Sequence, residues 1–324
     1  MLKYKKQLIE LLILGVLSGL STIYANTWQL EDNQNWDLVA TDNQSKFLKA
    51  IAETQKIVDE NQTKTAKKYF EKIKEDFTDF SGPDLDLFIK AELFLSDKKL
   101  TTAARTFDKL LKKYPESKLR DISIDRMFEI GKIYLGGKKK VLLSFIQISG
   151  YAEGIRILEK VTDYAGIDSQ IGTDAAVAVA QNYEKREKFH EAYLKWWEIS
   201  SQWQTGPIGR DALLGMAKAK HAIYNKNPEQ KRSYYDASCL RSARSYYERF
   251  KLLFPEDAKA IDVDGTIDEI NEQLAYKEFV TAQYYQQTGS RQSANLYYDM
   301  VTTNWPETKG AQKAKEILTE NNGK

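Results

Sequence analysis

The stretch AYKEFVTAQYYQQTGSRQSANLYYDMVTTNWP, residues 275–306, decides the fold of this chain. It contains two helix-favouring runs separated by Gly289, a residue type that commonly follows the end of a helix. In the second run, Ala294 precedes Tyr298 by four positions, and Val301 follows. Residues four apart share one helix face, so the small side chain of Ala294 leaves a notch beside the large side chain of Tyr298, the knob, and a neighbouring helix can pack closely there. The stretch therefore predicts a hairpin of two closely packed helices.

The same pairing of a small and a large apolar residue recurs along the chain. The six pairs are Ala66/Phe70, Ala103/Phe107, Gly154/Leu158, Ala192/Trp196, Ala243/Tyr247 and Ala294/Tyr298, and the apolar residues that follow them are Ile73, Leu110, Val161, Ile199, Phe250 and Val301. Such self-similarity is the signature of a repeat protein in which each hairpin stacks on its neighbours. The alternative is a non-repetitive helical bundle of similar amphipathicity.

The pattern resembles the tetratricopeptide repeat, a 34-residue helix hairpin with small and aromatic residues at fixed positions and a proline near its end. Counting from Asp84 gives Ala91, Phe94, Ala103, Phe107 and Pro115, and counting from Ala275 gives Ala282, Tyr285, Ala294, Tyr298 and Pro306. A unit from Thr173 matches in part. The resemblance implies an all-α, tetratricopeptide-type helix-hairpin solenoid of about six units, wound as a right-handed superhelix.

Composition agrees with a folded helical protein and disfavours one class of partner. The chain has 324 residues, of which 42% are hydrophobic and 29% charged, so it can bury a sizeable core. The 48 basic and 46 acidic residues leave a formal net charge of only +2. This balance gives no reason to expect nucleic acid as a partner.

The first 25 residues read as a secretory signal. Lys3, Lys5 and Lys6 precede the apolar residues 11–20, and Ala25 marks a plausible cleavage point. We therefore predict a signal peptide at 1–25, an N-terminal extension at 26–43 and the solenoid at 44–324, with export to the periplasm. An uncleaved membrane anchor or a buried helix is the alternative for 1–25. Since Cys239 is the only cysteine, we expect neither an intramolecular disulfide nor a lipid anchor on an N-terminal cysteine.

Three insertions are expected to interrupt the repeats, near 136–150, 225–236 and 256–265. Insertions into a solenoid fall on loops and often carry function. In the first, Lys138, Lys139 and Lys140 precede an apolar run at 141–148. This pairing suits weak contact with an anionic membrane surface, with Leu142, Leu143, Phe145 and Ile146 entering the lipid. Contact with another protein and packing back onto the solenoid are the two alternatives.

The end of the chain resembles the closing repeat of the BamD (ComL) family. The likeness is carried by Leu274-Ala275, by AQYY at 282–285 and by PET at 306–308. It implies a periplasmic protein-binding scaffold that assists the assembly of β-barrel proteins into the outer membrane. Its implied partners are the core subunit of the barrel-assembly machinery, which would hold it at the outer membrane, and unfolded outer-membrane proteins. The chain departs from the family in lacking a lipidated cysteine, and Gln273 stands where a basic residue is expected.

Two sets of candidate binding residues follow from these resemblances. The expected partner-binding residues are Gln273, Tyr276, Lys277, Tyr284 and Arg291, because tyrosine and arginine are enriched in interface hot spots. The alternative is that the tyrosines fill the core between repeats. The expected peptide groove, on the concave side of the first helices, holds Leu85, Phe88, Leu95, Phe128, Leu135 and Val177. The alternative is that these residues pack the inner wall.

Catalytic and metal-binding chemistry is poorly represented. With only two histidines, His190 and His221, and one cysteine, we expect no zinc cluster, no cofactor and no nucleophile-base pair. The acidic segment 262–268 imitates part of a calcium loop but lacks its bidentate glutamate, so we expect a turn and helix cap there. A capping box at 266–269 is expected to open the last long helix. The chain is therefore predicted not to be an enzyme; an adaptor for envelope or division proteins and, remotely, a glycan-cleaving enzyme are the alternatives.

Overall fold

The computed structural model describes residues 27–30, 36–39, 42–142 and 146–322, and these residues are predominantly helical. The helices are α1 (Asn43–Asp59), α2 (Thr63–Asp76), α3 (Pro83–Ser96), α4 (Leu100–Lys113), α5 (Arg120–Leu135), α6 (Tyr151–Ala165), α7 (Gln170–Lys185), α8 (Phe189–Gln202), α9 (Gly206–Asn225), α10 (Ser238–Leu253), α11 (Pro255–Ala260), α12 (Val263–Gln287), α13 (Arg291–Asn304) and α14 (Lys309–Asn322). Short 3₁₀ helices lie at Thr78–Phe80 and Glu229–Tyr234. Two antiparallel hairpins pair β1 (Thr27–Leu30) with β2 (Trp36–Val39), and β3 (Lys139–Leu142) with β4 (Ile146–Ser149).

The predicted small and large pairs lie on α2, α4, α6, α8, α10 and α13. All twelve residues of the six pairs are buried, and so are the six apolar residues that follow them. Each of these helices therefore directs the same face into a core, which is what a stack of equivalent hairpins requires. The prediction of an all-α, tetratricopeptide-type solenoid is confirmed.

The described part of the chain divides into two compact units, with the boundary between Lys98 and Lys99. In the first, α1, α2 and α3 pack against one another, and Phe47 stacks on Phe80 with ring centroids 4.7 Å apart. In the second, helices adjacent in sequence pack in order from α4 to α14. Contacts also join α5 to α7 and α12 to α14, so the first helices of neighbouring hairpins share a side of the stack.

Close helix packing in the third hairpin depends on two glycines. A Cβ at Gly154 on α6 would lie 2.9 Å from side-chain atoms of Leu135 and Tyr134, and a Cβ at Gly131 on α5 would lie 2.6 Å from Leu158. Both distances are shorter than carbon atoms tolerate, so neither position has room for a side chain. Gly154 thus provides the notch that its place in the repeat predicts.

Most predicted helix boundaries agree with the structure, with one correction. Gly289, with φ +82°, separates α12 from α13 as predicted, and Gly82 is the N-cap of α3, which begins at Pro83. The capping box at 266–269 is wrong, because α12 already begins at Val263. Asp262 caps this helix instead, and its carboxylate accepts a hydrogen bond from the Gly265 N–H at 3.2 Å. The acidic segment therefore forms the turn and helix cap that we predicted.

The three insertions fold into short elements. The first forms the β3–β4 hairpin, and Lys140 Nζ lies 2.7 Å from the buried carboxylate of Glu153, so this lysine is already paired. The second contains the 3₁₀ helix Glu229–Tyr234, and the third contains α11. Residues 143–145 and the side chains of 141–147, which include Leu142, Leu143, Phe145 and Ile146, lie outside what the structure describes. So does the predicted signal segment 1–25, and both proposals for these segments stay predictions.

Candidate protein-binding surfaces

Four of the five predicted partner-binding residues lie on one side of α12. Gln273, Tyr276, Lys277 and Tyr284 fall within an arc of about 100° around the helix, given 3.6 residues per turn. This side borders a cleft of about 440 Å³, which we call the C-terminal cleft. Its lining residues are Tyr224, Glu229, Arg232, Ser233, Glu269, Glu272, Gln273, Tyr276, Phe279, Lys309, Gly310 and Lys313.

One wall of the C-terminal cleft is the 3₁₀ helix Glu229–Tyr234, which Lys277 holds in place. Lys277 Nζ donates to the carbonyl oxygens of Ser233 and Tyr235, at 2.9 Å each. Hydrogen bonds to an ammonium group are strong, and these satisfy two backbone acceptors that a loop would otherwise leave to water. Lys277 therefore supports the wall of the cleft and does not extend from it as a free contact.

Gln273 has a similar supporting position. It is half-buried, and its Nε2 donates to Asn225 Oδ1 at 3.2 Å and to Glu269 Oε1 at 3.1 Å. The bond to Asn225 connects α12 to the end of α9, where the second insertion begins. The side-chain amide of Gln273 thus donates both to the neutral amide oxygen of Asn225 and to the carboxylate of Glu269.

The tyrosines of the predicted set are accessible to a partner. Tyr276 is 57% exposed and Tyr284 is 61% exposed. The ring of Tyr284 meets Tyr285 edge-on at 5.7 Å, and Tyr285 stacks on Tyr297 at 5.4 Å. The core-filling alternative applies to Tyr298, which has no exposed surface, but not to Tyr276 and Tyr284. The exposed surface of Tyr276 and Tyr284 therefore offers a partner both an apolar ring and a polar hydroxyl group.

The other wall of the C-terminal cleft is the start of α14. The carboxylate of Glu272 accepts hydrogen bonds from the Lys309 N–H at 3.1 and 3.2 Å, which caps this helix. Gly310 faces α12 so closely that an added Cβ would lie 3.3 Å from Ala275 Cβ. Lys309 and Lys313 thereby reach the cleft, although sequence reasoning did not select them. Arg291, by contrast, lies at the first position of α13, beyond Gly289, and is not among the lining residues.

His221 lies behind the C-terminal cleft, and its burial predicts that the stability of the chain depends on pH. It is buried, and burial lowers the pKa of its imidazole despite Glu269, whose carboxylate is 3.9 Å away; Arg232 lowers the pKa further. Below the ordinary histidine pKa of about 6.5, the unfolded chain therefore binds a proton that the folded chain resists. We expect the free energy of unfolding to fall between pH 7 and 5.

Chemical denaturation of the wild type and of His221→Gln, at pH 7 and at pH 5, measures this change in the free energy of unfolding. The glutamine variant should lose less stability on acidification than the wild type. Equal losses in the two proteins would contradict this role of His221.

The predicted groove residues divide into core and half-buried positions. Leu85 and Phe88 on α3 have no exposed surface, so the structure corrects their assignment to an accessible groove. They lie on the stripe of α3 that also buries Ala91, which explains their burial. The remaining four, Leu95, Phe128, Leu135 and Val177, are half-buried. Val177 packs against the apolar cluster around Trp196, whereas Phe128 lines an open cleft between α5 and α7.

Among the described histidine, cysteine, aspartate and glutamate side chains, no three come together in a group that could hold a metal ion. Within 42–142 and 146–322, no helix is long and apolar enough to cross a membrane.

Comparison with known proteins gives a partial family match and several structural neighbours. Residues 219–324 match the model of a family described as YfiO, outer membrane lipoprotein. The C-terminal part of a TPR repeat-containing protein from Cytophaga hutchinsonii is 13% identical, with 84% of this chain and 92% of that chain covered and a TM-score of 0.37. PilW, a type IV pilus biogenesis factor, is 14% identical, with 83% of this chain and 97% of that chain covered and a TM-score of 0.29. A tetratricopeptide repeat protein from Parabacteroides merdae is 12% identical, with 84% of this chain and 97% of that chain covered and a TM-score of 0.33. No curated protein matches the chain.

The segment that matches the YfiO model contains all the motifs that resemble the BamD family. It begins within α9 and includes every residue that lines the C-terminal cleft. The match and the resemblance therefore agree on the same part of the chain: its C-terminal third is similar to an outer-membrane lipoprotein family related to BamD.

Proposed function

We propose that this chain is a periplasmic protein-binding scaffold that assists the assembly of β-barrel proteins into the outer membrane. One observation carries the proposal: the segment similar to the YfiO family, residues 219–324, is also the segment that builds the C-terminal cleft and its exposed tyrosines. We infer that this surface docks on the periplasmic domains of the barrel-assembly core subunit. Such docking would hold the scaffold at the outer membrane.

The C-terminal cleft is already ordered before a partner binds. Its 3₁₀ wall is fixed by Lys277, and Tyr224 Oη also donates to the Arg232 carbonyl at 3.1 Å. A surface that is already ordered loses little conformational entropy on binding. Charges of both signs surround it, with Glu229 and Glu269 on one side and Lys313 on the other, so a polar rim can form around the tyrosines.

The decisive variant removes both exposed rings of α12. Tyr276→Ala combined with Tyr284→Ala should weaken binding to the purified periplasmic domains of the core subunit about 30-fold, as expected for two interface tyrosines whose truncation costs about 1 kcal/mol each. Affinity is measured by biolayer interferometry. The control is Tyr69→Ala, because Tyr69 is 52% exposed on α2 and remote in sequence from the matched segment.

Helical circular dichroism and the melting temperature should be the same in both variants, since the replaced rings are at the surface. A wild-type chain that does not bind the core subunit would reject the proposed function. Binding that survives the double substitution would reject this surface as the docking site.

We also infer that the chain acts by binding and not by catalysis. Burial opposes ionisation of Asp108, but hydrogen bonds from Lys160 and Tyr164 hold the pKa of its carboxyl below the ordinary value. Hydrogen bonds from Arg156 and Lys140 likewise lower the pKa of Glu153. These carboxylates are held ionised, and the bonds from Lys160, Tyr164 and Lys140 join neighbouring elements, which supports a role in packing. A general acid needs the opposite, a raised pKa. Burial raises the pKa of Asp125 and Glu184, but Asp125 lies at an exposed position and the carboxylate of Glu184 already accepts a hydrogen bond from Trp196 Nε1 at 2.7 Å.

A further inference from the structure

A second cleft lies between α5 and α7, the first helices of the third and fourth hairpins. Its volume is about 840 Å³. Its lining residues are Asp125, Phe128, Glu129, Lys132, Ile133, Ser169, Gln170, Ile171 and Asp174. All of them precede residue 219, so this α5–α7 cleft is built outside the segment that is similar to the YfiO family.

The floor of the α5–α7 cleft is apolar and open to solvent. Ile133 is 44% exposed, and Phe128 and Ile171 are half-buried. Contiguous apolar surface inside a concavity is characteristic of binding sites, because a ligand that covers it releases ordered water. The floor therefore favours a ligand with large apolar side chains.

The rim of the α5–α7 cleft is acidic. Neither Asp125 nor Asp174 forms an ion pair with any residue that the structure describes; Asp174 accepts only a hydrogen bond from Gln170 Nε2 at 3.0 Å. Partial burial and the negative charges of Asp121 and Glu129 raise the pKa of Asp125. A cation bound at this rim would relieve that repulsion.

The basic groups near the α5–α7 cleft offset only part of the charge of its three carboxylates, those of Asp125, Glu129 and Asp174. Arg126 pairs with Glu129 at 3.0 Å and is itself buried. Lys132 Nζ lies 5.2 Å from the centroid of the Phe128 ring. At the start of α7, the Ser169 N–H donates to the Gly166 carbonyl and the Gly172 N–H donates to Ser169 Oγ, at 3.1 Å each, so two of the four N–H groups that an anion could use are already engaged. Charge complementarity therefore selects a cationic ligand.

We propose that the α5–α7 cleft binds a polypeptide segment in which a lysine or arginine lies between large apolar side chains. The apolar side chains would cover Phe128, Ile133 and Ile171, while the cation would lie between the carboxylates of Asp125 and Asp174. An extended segment presents side chains alternately, so neighbouring residues reach the floor and the rim. This site is independent of docking at the C-terminal cleft.

Fluorescence anisotropy with two labelled nonapeptides tests the proposal. One peptide alternates arginine with leucine, and the other replaces each arginine with glutamate. The arginine peptide should bind the full chain, with an affinity that falls as salt rises, and the glutamate peptide should not. Asp125→Lys combined with Asp174→Lys should weaken binding of the arginine peptide about 10-fold or more, because each substitution replaces an attraction with a repulsion.

The matched control is Glu75→Lys combined with Glu316→Lys, which changes the net charge equally at exposed positions outside the cleft. This control should keep the wild-type affinity, and so should Tyr276→Ala with Tyr284→Ala, which separates this site from the proposed docking surface. Ile133→Ser should weaken binding at high salt as well as at low salt. The proposal is overturned if both peptides bind equally, or if the two charge-reversed proteins bind the arginine peptide with the same affinity.

Discussion

Replacement of Tyr298 by alanine should lower the free energy of unfolding by about 3–5 kcal/mol, the range for truncating a fully buried aromatic residue. Tyr298 is the knob of the last repeat and has no exposed surface. Its ring lies 5.5 Å from that of Phe279, and its hydroxyl donates to Gln286 Oε1 at 2.6 Å. The substitution therefore leaves a cavity and also removes the donor to Gln286.

Denaturant titration monitored by circular dichroism measures this loss, and two further variants separate its causes. Tyr298→Phe should cost only about 1 kcal/mol, since it removes the hydrogen bond and keeps the ring. Tyr284→Ala should change stability by less than about 0.5 kcal/mol, because this ring is exposed. If Tyr298→Ala were as mild as Tyr284→Ala, the knob of the repeat would not be a core residue.

The repeat was predictable because it is a local pattern. A small residue and a large one four positions later must share a helix face, whatever the rest of the chain does. Six such pairs define six equivalent faces, and a solenoid is the arrangement that buries all of them. The turns at Gly82 and Gly289 were predictable for the same reason, since each depends on the conformational preferences of one or two residues.

The candidate binding surfaces were predictable only in part. Tyr276 and Tyr284 were selected through a family resemblance, but the position of Lys277 depends on carbonyl groups more than forty residues earlier in the sequence. No local pattern shows where an insertion folds back, so Arg232, Lys309 and Lys313 could not be assigned to the cleft. The second insertion, at 225–236, was nevertheless the right segment to consider, because it supplies one wall.

Leu85 and Phe88 show where analogy with a repeat family misleads. They were assigned to the groove because the first helix of each hairpin lines the concave side. Yet Leu85, Phe88 and Ala91 follow one another at intervals of three, so Phe88 lies beside each of the other two on the helix surface. That face must meet neighbouring helices, and the three residues are buried together. The spacing within α3 was therefore better evidence than the position within the family repeat.

Packing between the fourth and fifth hairpins depends on the absence of a side chain at Gly215. A Cβ at this position of α9 would lie 2.5 Å from Cε2 and Nε1 of Trp196 on α8. The indole cannot move away easily, because it is buried and its Nε1 donates to Glu184 Oε1 at 2.7 Å. Gly215→Val should therefore lower the free energy of unfolding by about 3 kcal/mol, at the upper end of the range for overpacked cores.

Two comparisons make the Gly215 prediction specific. Gly136→Ala should be tolerated within about 0.5 kcal/mol, because its added Cβ meets the nearest atoms at 3.4 Å and its φ of −68° suits alanine. Adding Trp196→Leu to Gly215→Val should recover part of the loss, since the shorter side chain makes room for the valine. Denaturation of the two single variants and the double variant measures this coupling. Purely additive losses would mean that the indole of Trp196 does not occupy the space above Gly215.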